Sequence, residues 1–288
     1  MTDRIVNLDA NDVARMQRSE MREQAIHALE QGRVIFFPQL PFVLKPNEKA
    51  FLTPNVTDGK AKNVSYFKDE LSGTRLQGDE KTELTAMMQR YANFANDLVC
   101  NLFPVYQPHL VQARTSFRPV EVVGRESSYR KDDKRLHVDA FPSTPVQGKR
   151  ILRVFSNVNS NAKDRVWRLG EPFEQVSKRF LPKAKKYCRH LATLLCWIKA
   201  TKTKRSAYDH YMNQIHNLMK ADEHYQQTVD QETVHLPPNT TWMVFTDQVS
   251  HAAMSGQYLL EQSFYLPVEA MQQPDLSPFN VLKKHGVY

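Results

Sequence analysis

The chain's 288 residues give room for one large domain or two small ones, and its 41% apolar content can fill a sizeable core. A formal charge of +8, from 39 basic and 31 acidic residues, favours polyanionic partners such as nucleic acid, phosphorylated lipid or an anionic membrane face. Cys100, Cys188 and Cys196 are too few and too scattered for a disulfide framework or a cysteine zinc site, so buried thiols in a reducing compartment are expected. No apolar run approaches the ~20 residues that cross a bilayer. The polar stretch up to Glu20 holds no apolar region of a secretory signal. The expectation is a cytoplasmic protein able to touch a membrane surface peripherally.

Residues 18–31 read as a short helix, with Met21, Ala25 and Leu29 at four-residue spacing, and Val34-Ile35-Phe36-Phe37 reads as a strand ended by Pro38. Residues 41–78 are turn-rich. A longer helix is predicted over 82–103, presenting Leu84, Met88, Tyr91, Ala95 and Leu98 along one side. A strand over 111–117 follows. Period two then dominates: 136–141 reads as one strand and 150–159 as another. In the second, Ile151, Arg153, Phe155 and Asn157 share one face, opposite Leu152, Val154, Ser156 and Val158.

Helices return over 171–221. Ala184, Cys188, Leu191, Leu195 and Ile198 form one apolar stripe; Tyr208, Tyr211, Ile215 and Met219 form another. Residues 199–205, with four basic side chains, read as an exposed joint. Strand candidates at 232–236, 241–246 and 258–266 close the chain, with Pro237-Pro238-Asn239-Thr240 as a turn. The fold class expected is mainly β with helical additions: a double-stranded β-helix, or jelly-roll, core. Residues 1–288 read as a single domain. Residues 1–110 form a helical and strand support, 111–170 and 230–270 the core, and 171–225 a helical insertion.

His137-Val138-Asp139 is the most informative short feature. On an extended segment, residues two apart point to one face, so His137 and Asp139 can act together. His251 lies 114 positions further on, within a β-pattern that can bring it back to the pair. Two imidazoles and one carboxylate form the face that holds non-haem Fe(II) and leaves positions open for a cosubstrate and O2. Zinc is open on ligand chemistry alone. Use of 2-oxoglutarate would require a cation for its distal carboxylate, and the Arg fork binds one bidentately. No Arg follows His251, so Arg153 on the strand after H-x-D is the expected anchor. Arg150 takes that role if a bulge reverses the faces. Asn157 shares the Arg153 face as a further pocket candidate.

The segment RLHVDAFPSTPVQGKRILRVFSNVN, with FTDQVSHAAMSGQY downstream, closely resembles the bacterial Kdo (3-deoxy-D-manno-octulosonic acid) hydroxylases. The resemblance extends over most of the chain. It implies a jelly-roll dioxygenase with jumonji-like relatives, using Fe(II), 2-oxoglutarate and O2 to hydroxylate C3 of Kdo attached to lipid A. It implies His137, Asp139 and His251 as the iron ligands and catalytic centre, with Arg153 as the anchor. Lys131, Lys134, Arg135 and Lys149 would line an electropositive mouth, with Ser143 orienting substrate hydroxyls. Lys183, Lys185, Lys186, Arg189, Lys202, Lys204 and Arg205 are expected to form a broader patch facing an anionic inner-membrane surface. Two other readings stay open: an iron dioxygenase for another anionic substrate, and a noncatalytic anionic-lipid-binding module. Nucleic acid is disfavoured, because no RRM signature, zinc finger or GXXG loop is present. No obligate protein partner is implied.

Overall fold

The computed structural model describes residues 4–9, 13–124 and 128–287. The N-terminal part contains β1 (Ile5–Asn7), α1 (Val13–Met16), α2 (Ser19–Glu30), β2 (Val34–Phe37), β3 (Val64–Phe67), β4 (Glu70–Ser72) and α3 (Gly78–Leu102). The middle contains β5 (Val111–Arg118), β6 (Arg150–Asn157) and β7 (Arg165–Leu169), then α4 (Phe173–Phe180), α5 (Arg189–Trp197), α6 (Ala207–Ala221) and α7 (Glu223–Thr228). The chain closes with β8 (Glu232–Leu236), β9 (Thr240–Phe245), β10 (His251–Ser255), β11 (Leu259–Leu266) and α8 (Pro278–Lys284).

Eight strands form one sheet in the order β1-β2-β9-β6-β11-β5-β3-β4, and three form another in the order β10-β7-β8. The two sheets face each other across a shared apolar layer. Phe155, Trp242, Val244 and Leu259 come from the large sheet; Trp167, Leu169, Leu236 and Ala253 come from the small one. This is the sandwiched core of a jelly roll. The opposite face of the large sheet carries Leu152, Val154, Met243, Phe245, Phe264 and Leu266, covered by Ala25 and Leu29 of α2 and by Ala95, Leu98 and Val99 of α3. The strict alternation along β6 thus divides helix-facing from interior side chains.

The N-terminal segment does more than support this core, because it contributes four strands to the large sheet, with β2 pairing β9 and β3 pairing β5. The β3–β4 hairpin lies in the stretch that reads only as turns. Its two-residue turn is made by Lys68 (φ 51°) and Asp69 (φ 63°), left-handed positions usually marked by Asn or Gly.

Two expectations for the insertion fare differently. Tyr208, Tyr211, Ile215 and Met219 are all buried in one cluster with Phe173, Val176 and Phe180 of α4. The stripe from Ala184 to Ile198 is not a buried face: the helix begins only at Arg189, Cys188, Leu191 and Ile198 are exposed, and Ala184 and Leu195 are only partly buried. The cysteines are free, but Cys188 is exposed and Cys100 and Cys196 are partly buried, not the buried thiols expected.

Arg150 is fully buried on the helix-facing side of β6. Its Nε donates to Asp247 Oδ2 at 2.7 Å and its Nη2 to Gln248 Oε1 at 2.7 Å, while the guanidinium lies 3.8 Å over the Phe245 ring. This interaction ties β6 to the turn after β9. Breaking a buried pair leaves one charge uncompensated, so Asp247→Ala is expected to lower unfolding free energy by about 3–5 kcal/mol in denaturant melts. The double variant R150M/D247L should recover part of that loss. An equal loss in both would place the energy elsewhere.

Candidate metal centre

His137 and His251 meet through a reciprocal backbone pair: His137 N donates to His251 O at 3.0 Å, and His251 N donates to His137 O at 2.9 Å. Two residues on, Asp139 N donates to Thr246 O at 2.8 Å. The partner jumps from His251 to Thr246 because the turn after β9 intervenes. The H-x-D segment is therefore extended but makes only one isolated bridge, not the regular strand expected over 136–141. It keeps the alternation of a strand, with Val138 buried in the core behind it.

Among the described residues, no strand lies beside the other edge of this segment. Side chains of the helical insertion supply its partners. Gln226 of α7 clamps Leu136, accepting from its N–H at 2.7 Å and donating to its carbonyl at 3.0 Å. His216 of α6 donates through Nδ1 to Val138 O at 2.9 Å, and the Arg135 side chain reaches back to the helix, Nη1 donating to Lys220 O at 2.8 Å. A reciprocal capping box, Ser206 with Asp209, starts α6, and Asp209 Oδ1 also accepts from Val146 N at 2.8 Å. Buried backbone groups need partners, and here the helices provide what a neighbouring strand would.

The ligand atoms of His137, Asp139 and His251 all lie within 4.8 Å of one another. His137 Nδ1 is 2.7 Å from Arg135 O, and His251 Nδ1 is 2.8 Å from Val249 O. A carbonyl only accepts, so each Nδ1 carries the proton and each Nε2 keeps a lone pair for the interior. Trp167 stacks on His251 with centroids 5.2 Å apart, fixing the ring plane. Asp139 Oδ2 is buried without a hydrogen bond. These donors fit a divalent ion with open positions on its remaining face.

Arg153 Nη1 lies 3.2 Å from Asp139 Oδ2 and 3.4 Å from Glu261 Oε1. Arg118 of β5 donates Nε and Nη2 to Glu261 Oε2 at 2.9 and 2.6 Å. The strand register explains the trio. Leu259 faces Arg118 and Ser263 faces Arg153, so Glu261 between them is the diagonal neighbour of both. Burial drives the Asp139 and Glu261 carboxyls upward, but the cations and hydrogen-bond donors around them together outweigh it and hold each below its usual range: Arg153, both imidazoles and Thr246 for Asp139, Arg118 and Arg153 for Glu261.

A cavity of about 540 Å³ opens from His137, Asp139 and His251. Exposed Lys60, Arg130 and Lys131 line it with half-buried Lys62; Arg118, Arg153 and Lys220 lie further in, and among the described residues the acids lining it are Asp133 and Asp139. Of the other residues expected here, Lys131 alone lines the cavity. Arg150 is turned to Asp247 on the far side of its strand. Asn157, at the strand end, donates to Leu236 O at 3.0 Å and Lys163 O at 3.2 Å. Arg135 is drawn to Glu223 at 2.6 Å. Lys134, Lys149 and Ser143 do not line the cavity; Ser143 is exposed, its carbonyl accepting from Lys202 N. Sequence reasoning missed Arg118, Glu261, Trp167, His216 and Lys220. Only the His216 and Lys220 pair left a sequence signal, a four-residue spacing beside the apolar stripe of α6.

Burial, and for His137 also the neighbouring His251, lowers both imidazoles below their ordinary value. Both are therefore neutral where an exposed histidine is already half charged, and stability linked to them is complete above about 6.5 and lost as pH falls. Calorimetric titration should find Co(II) affinity constant from about pH 7.5 to about 6.5, falling only below that. A loss centred near 6.5 would contradict the buried neutral pair.

A family model described as 3-deoxy-D-manno-oct-2-ulosonic acid (Kdo) hydroxylase matches residues 12–286. No curated protein matches the chain. The fold is similar to crystal structures of the Kdo hydroxylase KdoO, a non-heme Fe(II) alphaketoglutarate dependent dioxygenase. The cobalt(II) complex superposes with a TM-score of 0.95 at 44% identity, covering 98% of this chain and 95% of that one. The complex with alphaketoglutarate and Fe(III) gives 0.94 at 43%, covering 98% and 95%. The complex with succinate and Fe(III) gives 0.95 at 43%, covering 99% and 96%. With a match over nearly its whole length, the chain belongs to the Kdo hydroxylase family of Fe(II)/2-oxoglutarate-dependent dioxygenases.

Proposed function

We propose that this protein hydroxylates C3 of the Kdo sugar in Kdo-modified lipid A, giving D-glycero-D-talo-oct-2-ulosonic acid in place of Kdo. The observation that carries this reading is a facial His-Asp-His set opening on a cavity lined by far more cations than acids. Kdo brings a carboxylate and lipid A brings phosphates, so both ends of the substrate are anionic. The enzyme would meet this substrate at the cytoplasmic face of the inner membrane. Among the described residues no helix is long and apolar enough to cross a membrane, so such contact would be peripheral.

When bound, Fe(II) supplies O2 activation: 2-oxoglutarate is decarboxylated to succinate and CO2, one oxygen atom enters succinate, and the other enters the substrate C–H bond. His137, His251 and Asp139 would hold the ion on one face. Arg153 is the best-placed anchor for the distal carboxylate of 2-oxoglutarate, because its Nε is buried without a partner. Glu261 positions Arg153 and Arg118 as a fixed pair, limiting the rotamers either can adopt. Phe155, Trp167, Ala253 and Leu259 supply the apolar part of the cavity wall and exclude water from the reacting carbon. Lys60, Lys62, Arg130 and Lys131 would receive the carboxylate and phosphates of the incoming sugar.

Kinetics on Kdo-bearing lipid A, with succinate release and product mass both measured, test the reading. Asp139→Ala is expected to abolish turnover while leaving the fold intact. Arg153→Ala should raise the KM for 2-oxoglutarate about ten- to a hundredfold, the worth of a charge-assisted hydrogen bond. An unchanged KM would shift the anchor to Arg118. Succinate release coupled to another sugar, with none on Kdo, would refute the substrate.

A further inference from the structure

The segment around α5 is unlike the rest of the surface. Leu191, Leu194, Trp197 and Ile198 are 50%, 49%, 79% and 55% exposed; Trp197 and Ile198 lie three and four residues after Leu194, itself three after Leu191, so all four fall on one side of the helix and its C-cap. Within α5 only Ala192 is buried. A single exposed leucine is ordinary, but four large apolar side chains together on one short helix mark an interaction surface.

The charges around this stripe are one-sided. Residues 175–208 contain ten Lys and Arg and no Asp or Glu. Lys178, Arg179 and Lys183 pair with Glu174, Glu171 and Asp222 from outside that stretch. Lys185, Lys186 and Arg189 before the stripe, and Lys199 and Lys202 after it, are exposed and form no ion pair among the described residues. The surface is tied to the catalytic core. Lys202 N donates to Ser143 O at 2.9 Å and Arg205 Nη2 to Pro142 O at 2.6 Å, in the loop that begins three residues after Asp139.

We propose that α5 and its basic flanks form a docking surface for an anionic phospholipid bilayer. The apolar stripe enters the headgroup–acyl boundary, and the flanking cations bind the headgroup phosphates. Charge complementarity selects an anionic bilayer. The choice of a membrane rests also on the lipid-linked substrate proposed above. Docking would hold the loop following Asp139 at the surface where such a substrate lies.

The full-length protein tests this directly with vesicles of phosphatidylcholine alone or mixed with phosphatidylglycerol. Trp167 and Trp242 are buried, so Trp197 reports on insertion. The mixed vesicles should co-sediment with the protein and shift its fluorescence to the blue; phosphatidylcholine alone should do neither. Trp197→Phe should lose the shift and keep the binding. L194S/W197S, two changes at exposed positions, should weaken partitioning about tenfold or more, with turnover of a Kdo saccharide lacking acyl chains unchanged. Loss of vesicle binding in that variant supports docking whether or not any Kdo substrate turns over, so the two readings fail separately. Wild-type protein that ignores anionic vesicles, or binding that L194S/W197S leaves intact, overturns the proposal. So does sedimentation velocity showing that the stripe instead joins two copies of the chain.

Discussion

The reciprocal backbone pair between His137 and His251 is the contact on which the centre depends. It closes a separation of 114 residues with two hydrogen bonds near 3 Å and sets the two imidazoles 4.7 Å apart. Everything else in the site is arranged around that crossing. Thr246 catches Asp139 two residues on, the carbonyls of Arg135 and Val249 fix both tautomers, and Trp167 fixes one ring plane. The Arg150–Asp247 interaction, buried on the far side of β6, holds the turn that makes this change of partner possible.

The helical insertion is part of the site, not an ornament on the jelly roll. Among the described residues the H-x-D segment has a strand-like partner on one edge only, and the helical region satisfies the other with the side chains of Gln226 and His216. The same helix that buries Tyr211 and Ile215 in one direction presents His216 and Lys220 to the cavity in another. Burial, electrostatics and backbone satisfaction thus meet on one short length of chain.

Much of this was legible in the sequence, for physical reasons. Alternation along 150–157 separated Arg153 from Arg150, because a regular strand must place neighbours on opposite faces. The stripe of Tyr208, Tyr211, Ile215 and Met219 was legible because a buried helix face needs that spacing. Arg118 and Glu261 were not, because their meeting depends on the register of three strands, which no local pattern encodes. The apolar spacing across 184–198 misled because periodicity reports a helix face without saying what covers it. The H-x-D segment read as a strand because its side chains alternate as in one, although only a single bridge forms.

On the function proposed here, His137, Asp139 and His251 serve to put a hydroxyl on C3 of lipid-linked Kdo. Mass spectrometry of the product from a C3-dideuterated substrate under ¹⁸O2 tests it most directly. The expected product has one deuterium replaced by one ¹⁸O hydroxyl on the Kdo residue for each succinate formed. Succinate formed with both deuterium atoms retained on C3 would contradict it.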